Sequence, residues 1–302
     1  MTGLVLLTLR ELRARKVVVG LFVVATVIWV ALAFALQLDV VDGTLAGARL
    51  FGAEAVDESV EPGAPILDED GEPVLDENGE PRTQALPFGD TLLESVVFGA
   101  QAFVAGAAYW VGIILALFAT GGLIAALTER GHADVLLTKP ISRTGVLASR
   151  LAAVMVVMLA LATYLFGAVW LVMSVKSGLW SPRFLLAIPV VFGMFAVVYG
   201  VVTLVGVWSG SGPLSFIVTL GVLFVSLILA IPTLPEQVDA TWRPVVTGAY
   251  HVLPKFGSVG TTLVPQLATG GDVGSLYPLL SSLAFGAACY GLAFVLFARK
   301  DY

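Results

Sequence analysis

Polar groups able to do chemistry are gathered in two stretches of this chain. One holds an eight-residue repeat, Leu67-Asp-Glu-Asp-Gly-Glu-Pro-Val74 followed by Leu75-Asp-Glu-Asn-Gly-Glu-Pro-Arg82. The other runs from Thr128 to Arg150 and interleaves Glu129, Arg130, Asp134, Lys139, Ser142 and Arg143 with Leu136, Leu137 and Pro140. Repeated carboxylates invite a calcium site, but an EF-type loop opens on an oxygen ligand five residues ahead of its glycine, and relative to Gly71 that place is held by Ile66. A solvated acidic loop is the better reading, with Asp70-Gly71 and Asn78-Gly79 as the tight turns of small β-hairpins. His132 and His251 have no second histidine nearby and read as a surface and an interfacial residue rather than metal ligands. The single cysteine, Cys289, lies in an apolar run and can form neither an intrachain disulfide nor a thiolate cluster. Phosphate-cradling loops need a lysine after a glycine, and none of the five lysines follows one. The chain is therefore expected to be no enzyme and to bind no cofactor. Any ATP and magnesium belong on a separate polypeptide.

The elements that must hold these stretches are membrane helices. Hydrophobic residues make up 58% of the chain and charged residues 13%, and the mean hydropathy is +0.95. A soluble domain carries about 25% charged residues to cover its surface. About 20 apolar residues cross a hydrocarbon core of about 30 Å, and such runs lie near 17–38, 102–127, 151–175, 184–208, 214–231 and 278–298. The expected architecture is an all-α integral membrane protein with six transmembrane helices. Residues 1–16 form an amphipathic helix, and 17–302 form one transmembrane domain with an acidic insertion at 39–101 and a proline-broken segment at 232–277. Val5, Leu9 and Leu12 at helical spacing, with Arg10, Arg13, Arg15 and Lys16 on other faces, indicate the interfacial helix. A signal peptide cleaved at Ala33-Phe-Ala35 fits less well, because the apolar stretch is longer than an ordinary h-region.

Basic residues orient the spans. Arg10, Arg13, Arg15, Lys16, Arg130, Lys139, Arg143, Arg150, Arg299 and Lys300 are ten of the sixteen Lys and Arg, and six spans put all of them on one side. Both termini are expected in the cytoplasm of a multi-pass cell-membrane protein. Residues 39–95, with fifteen of the 22 acidic residues against Arg49 and Arg82, then face outward, as does 232–277. The six runs contain no Asp, Glu, Lys, Arg or His. Ion-coupled transport needs such groups in the bilayer even at about 2.5–3.5 kcal/mol each, so their absence argues against it and against intramembrane hydrolysis. Gly121-Gly122 with Ala125-Ala126, Gly206 with Gly210, and Ala284, Ala288 and Gly291 offer close helix contacts. Pro189 is expected to kink the fourth span, and Ser211 or Gly212 to cap the fifth helix.

Gly131 can end the second helix, Lys139-Pro140 interrupts a short apolar turn at Asp134-Val-Leu-Leu137, and Ser142 can cap a new helix entering the third span. Glu129-x-Gly131 followed by Leu136-Leu137-x-x-Pro140-Ile141-Ser142-Arg143 resembles the intracellular signature of permease subunits of type-2 ATP-binding-cassette (ABC) transporters. The order of six spans, the helix before the first and the ending Phe297-Ala-Arg-Lys-Asp-Tyr302 are similar too. Within that family the chain is most similar to permeases of nitrous-oxide-reductase maturation and gliding-type exporters, where Leu253-Pro254-x-Phe256 has counterparts. The resemblance implies a permease dimer, with a second copy or a paralogue, and two ABC ATPase subunits docked below. It places the ATPase-coupling helix at about Glu129 to Arg143, and an outer gate at Leu253, Pro254 and Phe256.

An exporter of an apolar or amphipathic substrate fits the uncharged spans, with the lipid bilayer as surroundings and no nucleic acid as partner. The alternative is a non-transporting membrane module that relays ATPase motion to a periplasmic partner through the acidic 39–95 loop. Val245–Val252 and Gly257–Leu267, between prolines, are expected as short helices that dip into the outer leaflet and return.

Overall fold

The computed structural model describes residues 16–41, 44–50, 53–54, 73, 88–89, 91–125, 127 and 143–299. The helix expected before Lys16 and the hairpins expected at Asp70-Gly71 and Asn78-Gly79 lie outside the described residues. In chain order the main described elements are α1 (Lys16–Ala35), β1 (Leu36–Val41), β2 (Thr44–Leu50), β3 (Ala53–Glu54), α2 (Leu92–Ala125), α3 (Arg143–Ser177), α4 (Ala187–Ser209), α5 (Gly212–Leu229), α6 (Arg243–Val252), α7 (256–269) and α8 (Tyr277–Arg299), with single turns of helix at Pro182–Leu186 and Leu234–Gln237. Six of the helices, α1 to α5 and α8, are long and apolar enough to cross a membrane. The protein is an all-α integral membrane protein, and the one small sheet among the described residues lies at the start of the acidic insertion.

The first helix stops at Ala35, short of the end of its apolar run, because Leu36-Gln-Leu-Asp-Val-Val41 alternates and pairs instead as a strand. β1 and β2 are antiparallel, with a register shift between Asp39 and Val40, and β3 adds to β2. The Lys176 ammonium donates to the carbonyls of Ala33 and Leu36, two of the groups left over where α1 ends.

The second helix begins well before its apolar run, at a capping box. Thr91 Oγ1 accepts from the Glu94 N–H at 3.2 Å, and Glu94 Oε2 accepts from the Thr91 N–H at 3.3 Å. Leu93, Val97, Gln101, Val104 and Ala105 then give this first half a buried stripe at helical spacing. With 35 residues at about 1.5 Å each, α3 is about 52 Å long. That exceeds a hydrocarbon core, and it explains why Arg143 and Arg150 at one end and Lys176 at the other share a helix with an uncharged middle.

Helix α4 is the centre of the bundle. Pro189 lies in its first turn, just after the 3-10 turn Pro182–Leu186. A proline is tolerated in the first turn of an α-helix, and this one stands where the chain passes from the 3-10 turn into α4. Gly210, at φ 69°, closes α4, and Ser211 Oγ caps α5 by accepting from the Leu214 N–H. The tightest contact with α8 runs through Gly286, where a Cβ would stand 2.9 Å from Val197 Cα. The face expected to pack is instead outward: Ala284 and Ala288 are exposed, and a Cβ on Gly291 meets nothing within 4 Å. At the opposite end of α4, a Cβ on Gly206 would stand 3.4 Å from Ile124 Cγ2, and one on Gly212 would stand 3.2 Å from Gly122 Cα. The ends of α2, α4 and α5 therefore converge where the polar 128–142 segment begins.

Candidate functional site

Between α6 and α7 the chain makes an irregular turn, Leu253–Phe256, whose backbone is answered by side chains from three spans. Ser226 on α5 donates its hydroxyl to Pro254 O at 2.5 Å and accepts from the Phe256 N–H at 2.9 Å. Ser282 on α8 accepts from the Lys255 N–H at 2.8 Å while donating to Pro278 O. Tyr109 on α2 donates to Phe256 O at 2.7 Å. Buried non-helical backbone needs protein groups to satisfy it, and each of these hydroxyls does so. The rings reinforce the clamp: Phe256 stacks on Tyr109 at 4.5 Å between centroids and meets Trp110 edge-on at 5.3 Å.

Two glycines let α7 come this close. A Cβ on Gly257 would lie 2.5 Å from Ala230 Cβ, and one on Gly260 would lie 2.5 Å from Tyr109 Cε1. Both helices widen at the contact. A π turn at Ala108–Gly112 interrupts α2 around Tyr109, and a second one at Val259–Leu263 interrupts α7 around Gly260.

Lys255 is the one cation held inside this clamp. It is 2% exposed, its ammonium donates to Ser281 Oγ at 3.0 Å, and the nitrogen sits 4.8 Å from the ring centres of both Tyr250 and Tyr277. Burial lowers its pKa below the ordinary lysine range. Among the described residues no carboxylate pairs with it. Beside it, His251 is exposed and its Nδ1 shares a hydrogen bond with the Tyr277 hydroxyl at 3.0 Å.

Of the residues expected at an outer gate, Pro254 and Phe256 are buried in the clamp and Leu253 is half-buried at its edge. Sequence reasoning missed Tyr109, Ser226, Lys255 and Ser282. The available signal was hydroxyls inside apolar runs facing a proline-broken segment that needs donors and acceptors.

The expected ATPase-coupling residues Glu129, Arg130, Asp134, Leu136, Leu137, Lys139, Pro140 and Ser142 lie outside the described residues. Arg143 opens α3. What is described are the two helix ends that bracket the segment, and they are tied together. Arg150 is 9% exposed and its guanidinium donates to Leu123 O at 3.0 Å, joining the first turns of α3 to the last turn of α2. Among the described residues no group of His, Cys, Asp and Glu could hold a metal ion.

The sequence model of one family, described as ABC-2 family transporter protein, matches residues 7–302. No curated protein matches the chain.

Proposed function

From the premise that the chain belongs to the ABC-2 family of transporter proteins, and is thus the membrane permease of an ABC transporter with a separate ATPase partner, we propose that it is an exporter whose outer gate is moved through α2. In this reading the 129–143 segment and both termini face the cytosol, the ATPase docks on Leu136, Leu137 and Arg143, and the functional unit contains a second permease. This reading groups the chain with permeases of the nitrous-oxide-reductase-maturation and gliding-type kinds.

One observation carries the proposal. α2 grips the Leu253–Phe256 turn through Tyr109 and runs from there to the 126–142 segment. Sixteen residues separate Tyr109 from Ala125, about 24 Å of helix at about 1.5 Å each. A shift of the Ala125 end of α2 is thereby passed to the turn at the middle of the helix, across the break at Gly121 and into the π turn that carries Tyr109. The Arg150–Leu123 bond makes α3 move with it.

The experiment is co-purification with the partner ATPase after Leu136→Asp, Leu137→Asp and Arg143→Ala substitutions. Loss of association or of permease-stimulated ATP hydrolysis is expected. Association and stimulation at the parent level would overturn the docking assignment.

A further inference from the structure

A cavity of about 240 Å³ lies inside the bundle, away from the clamp, walled by α1, α2, α3 and α4. Its lining is apolar throughout. The walls differ in exposure. Met158 and Phe166 of α3 and Phe195 of α4 are buried and form the floor, whereas Val24 of α1 and Val111 of α2 are 46% and 57% exposed and flank a mouth. The opening therefore lies between α1 and α2 and faces the hydrocarbon surrounding the bundle. Small residues make the space: Ala25, Ala108, Ala116 and Ala162 stand where larger side chains would close it. The π turn of α2 forms part of the wall, so the same irregularity that places Tyr109 on the clamp also shapes this cavity.

Beside the mouth, a polar chain staples α1 to α3 without offering a free group. Thr26 donates to Phe22 O at 2.8 Å, so the Tyr164 hydroxyl donates to Thr26 Oγ1 at 2.9 Å, and Trp29 Nε1 donates to the Tyr164 oxygen at 3.1 Å. The seam is closed and the cavity has no polar partner to give a ligand.

We infer that this cavity binds one alkyl chain, entering sideways from the bilayer between α1 and α2. The chemistry selects that occupant. A lining with no available donor or acceptor excludes headgroups and water, and an apolar void of this kind stays dry until an apolar ligand fills it. Its volume is below that of an ordinary whole-ligand pocket, so the chain enters and the headgroup stays at the membrane surface. The chain belongs either to a resident phospholipid or to a transported amphiphile. The second source rests on the exporter reading above, the first does not.

The test uses the full chain with its ATPase subunit in vesicles of equal parts phosphatidylcholine and phosphatidylglycerol, doped with a phospholipid or a free fatty acid carrying a diazirine in the chain. After illumination, adducts are expected on Met158–Phe166 and on Phe195 as well as on outward residues such as Ile217 and Phe224. Ala162→Phe and Ala116→Leu fill the cavity from opposite walls, and each should cut floor adducts at least fivefold while leaving Ile217 and Phe224 unchanged. Either variant suffices if the other fails to fold. Labelling by the phospholipid that ignores ATP marks a resident lipid, and fatty-acid labelling that falls during turnover marks a transported one. Adducts confined to outward residues in the parent protein would overturn the inference. So would floor labelling that survives both substitutions, or Val111→Cys copies that disulfide-bond across a dimer with no floor adduct. ATP hydrolysis measured in parallel separates the outcomes: stimulation intact without floor adducts removes the alkyl site alone.

Discussion

Replacing Tyr109 by Phe removes one hydroxyl and keeps the ring that stacks on Phe256 at 4.5 Å. What is lost is the 2.7 Å bond to Phe256 O, leaving a buried carbonyl without its α2 partner. In water-soluble proteins an orphaned buried acceptor costs about 1–3 kcal/mol. Between membrane helices, side-chain bonds average about 0.6 kcal/mol and reach about 1.7, because the unfolded reference also finds partners. The membrane figures apply here. At 1.4 kcal/mol per tenfold, they raise the open population of the turn about 3- to 16-fold. The assay is maleimide labelling of Ser258→Cys in a Cys289→Ala background, since Ser258 is half-buried and adjoins the clamp. Labelling that follows local opening should accelerate by that factor in Tyr109→Phe. Tyr290→Phe is the control, because that hydroxyl donates to Ala196 O at 2.7 Å, away from the turn. Equal rates in parent and Tyr109→Phe, or equal acceleration by Tyr290→Phe, would refute the clamp.

Three further outcomes are expected. Gly257→Ala drives a Cβ to 2.5 Å from Ala230 Cβ and should lower stability by about 1–3 kcal/mol, read as a fall in Tm, whereas Gly291→Ala, with nothing within 4 Å, should leave Tm unchanged. Burial depresses the Lys255 pKa in the folded state from 10.5. Between that depressed value and 10.5 the unfolded chain holds a proton that the folded chain has released, so stability rises with pH across the window, and the cost of the buried ammonium is fully present below it. Tm should accordingly climb as pH is raised through that window toward 10.5, a rise that Lys255→Met abolishes; a Tm that falls equally in both proteins would contradict this. Deleting residues 60–85 should leave transport and ATPase coupling intact, and loss of activity with normal assembly would favour a partner-docking role for the acidic loop.

The six spans were legible because apolar length alone decides whether a helix crosses a membrane. Their ends were not. Leu36 continues the apolar run yet enters a strand, and Leu92 starts a helix ahead of it because Thr91 and Glu94 supply a cap. Packing faces were legible only in kind. Small residues announced close contacts on α8, but Gly286 makes the contact while Ala284, Ala288 and Gly291 face outward, since rotation of a uniformly apolar helix is set by its neighbours. The break between α6 and α7 was recognisable at Pro254. Its holders were not, because Ser226, Ser282 and Tyr109 look like ordinary residues of apolar spans until the backbone they serve is located. The two π turns carry no compositional mark at all.

In the proposed coupling, ATPase events at the Ala125 end of α2 reach the Leu253–Phe256 turn through Tyr109 at the middle of that helix. The direct measurement is the labelling rate of Ser258→Cys in the assembled complex, nucleotide-free against vanadate-trapped. Different rates are expected in the two states, and no difference once Leu136→Asp and Leu137→Asp uncouple the ATPase. Identical rates in a complex that binds its ATPase and hydrolyses ATP would contradict it.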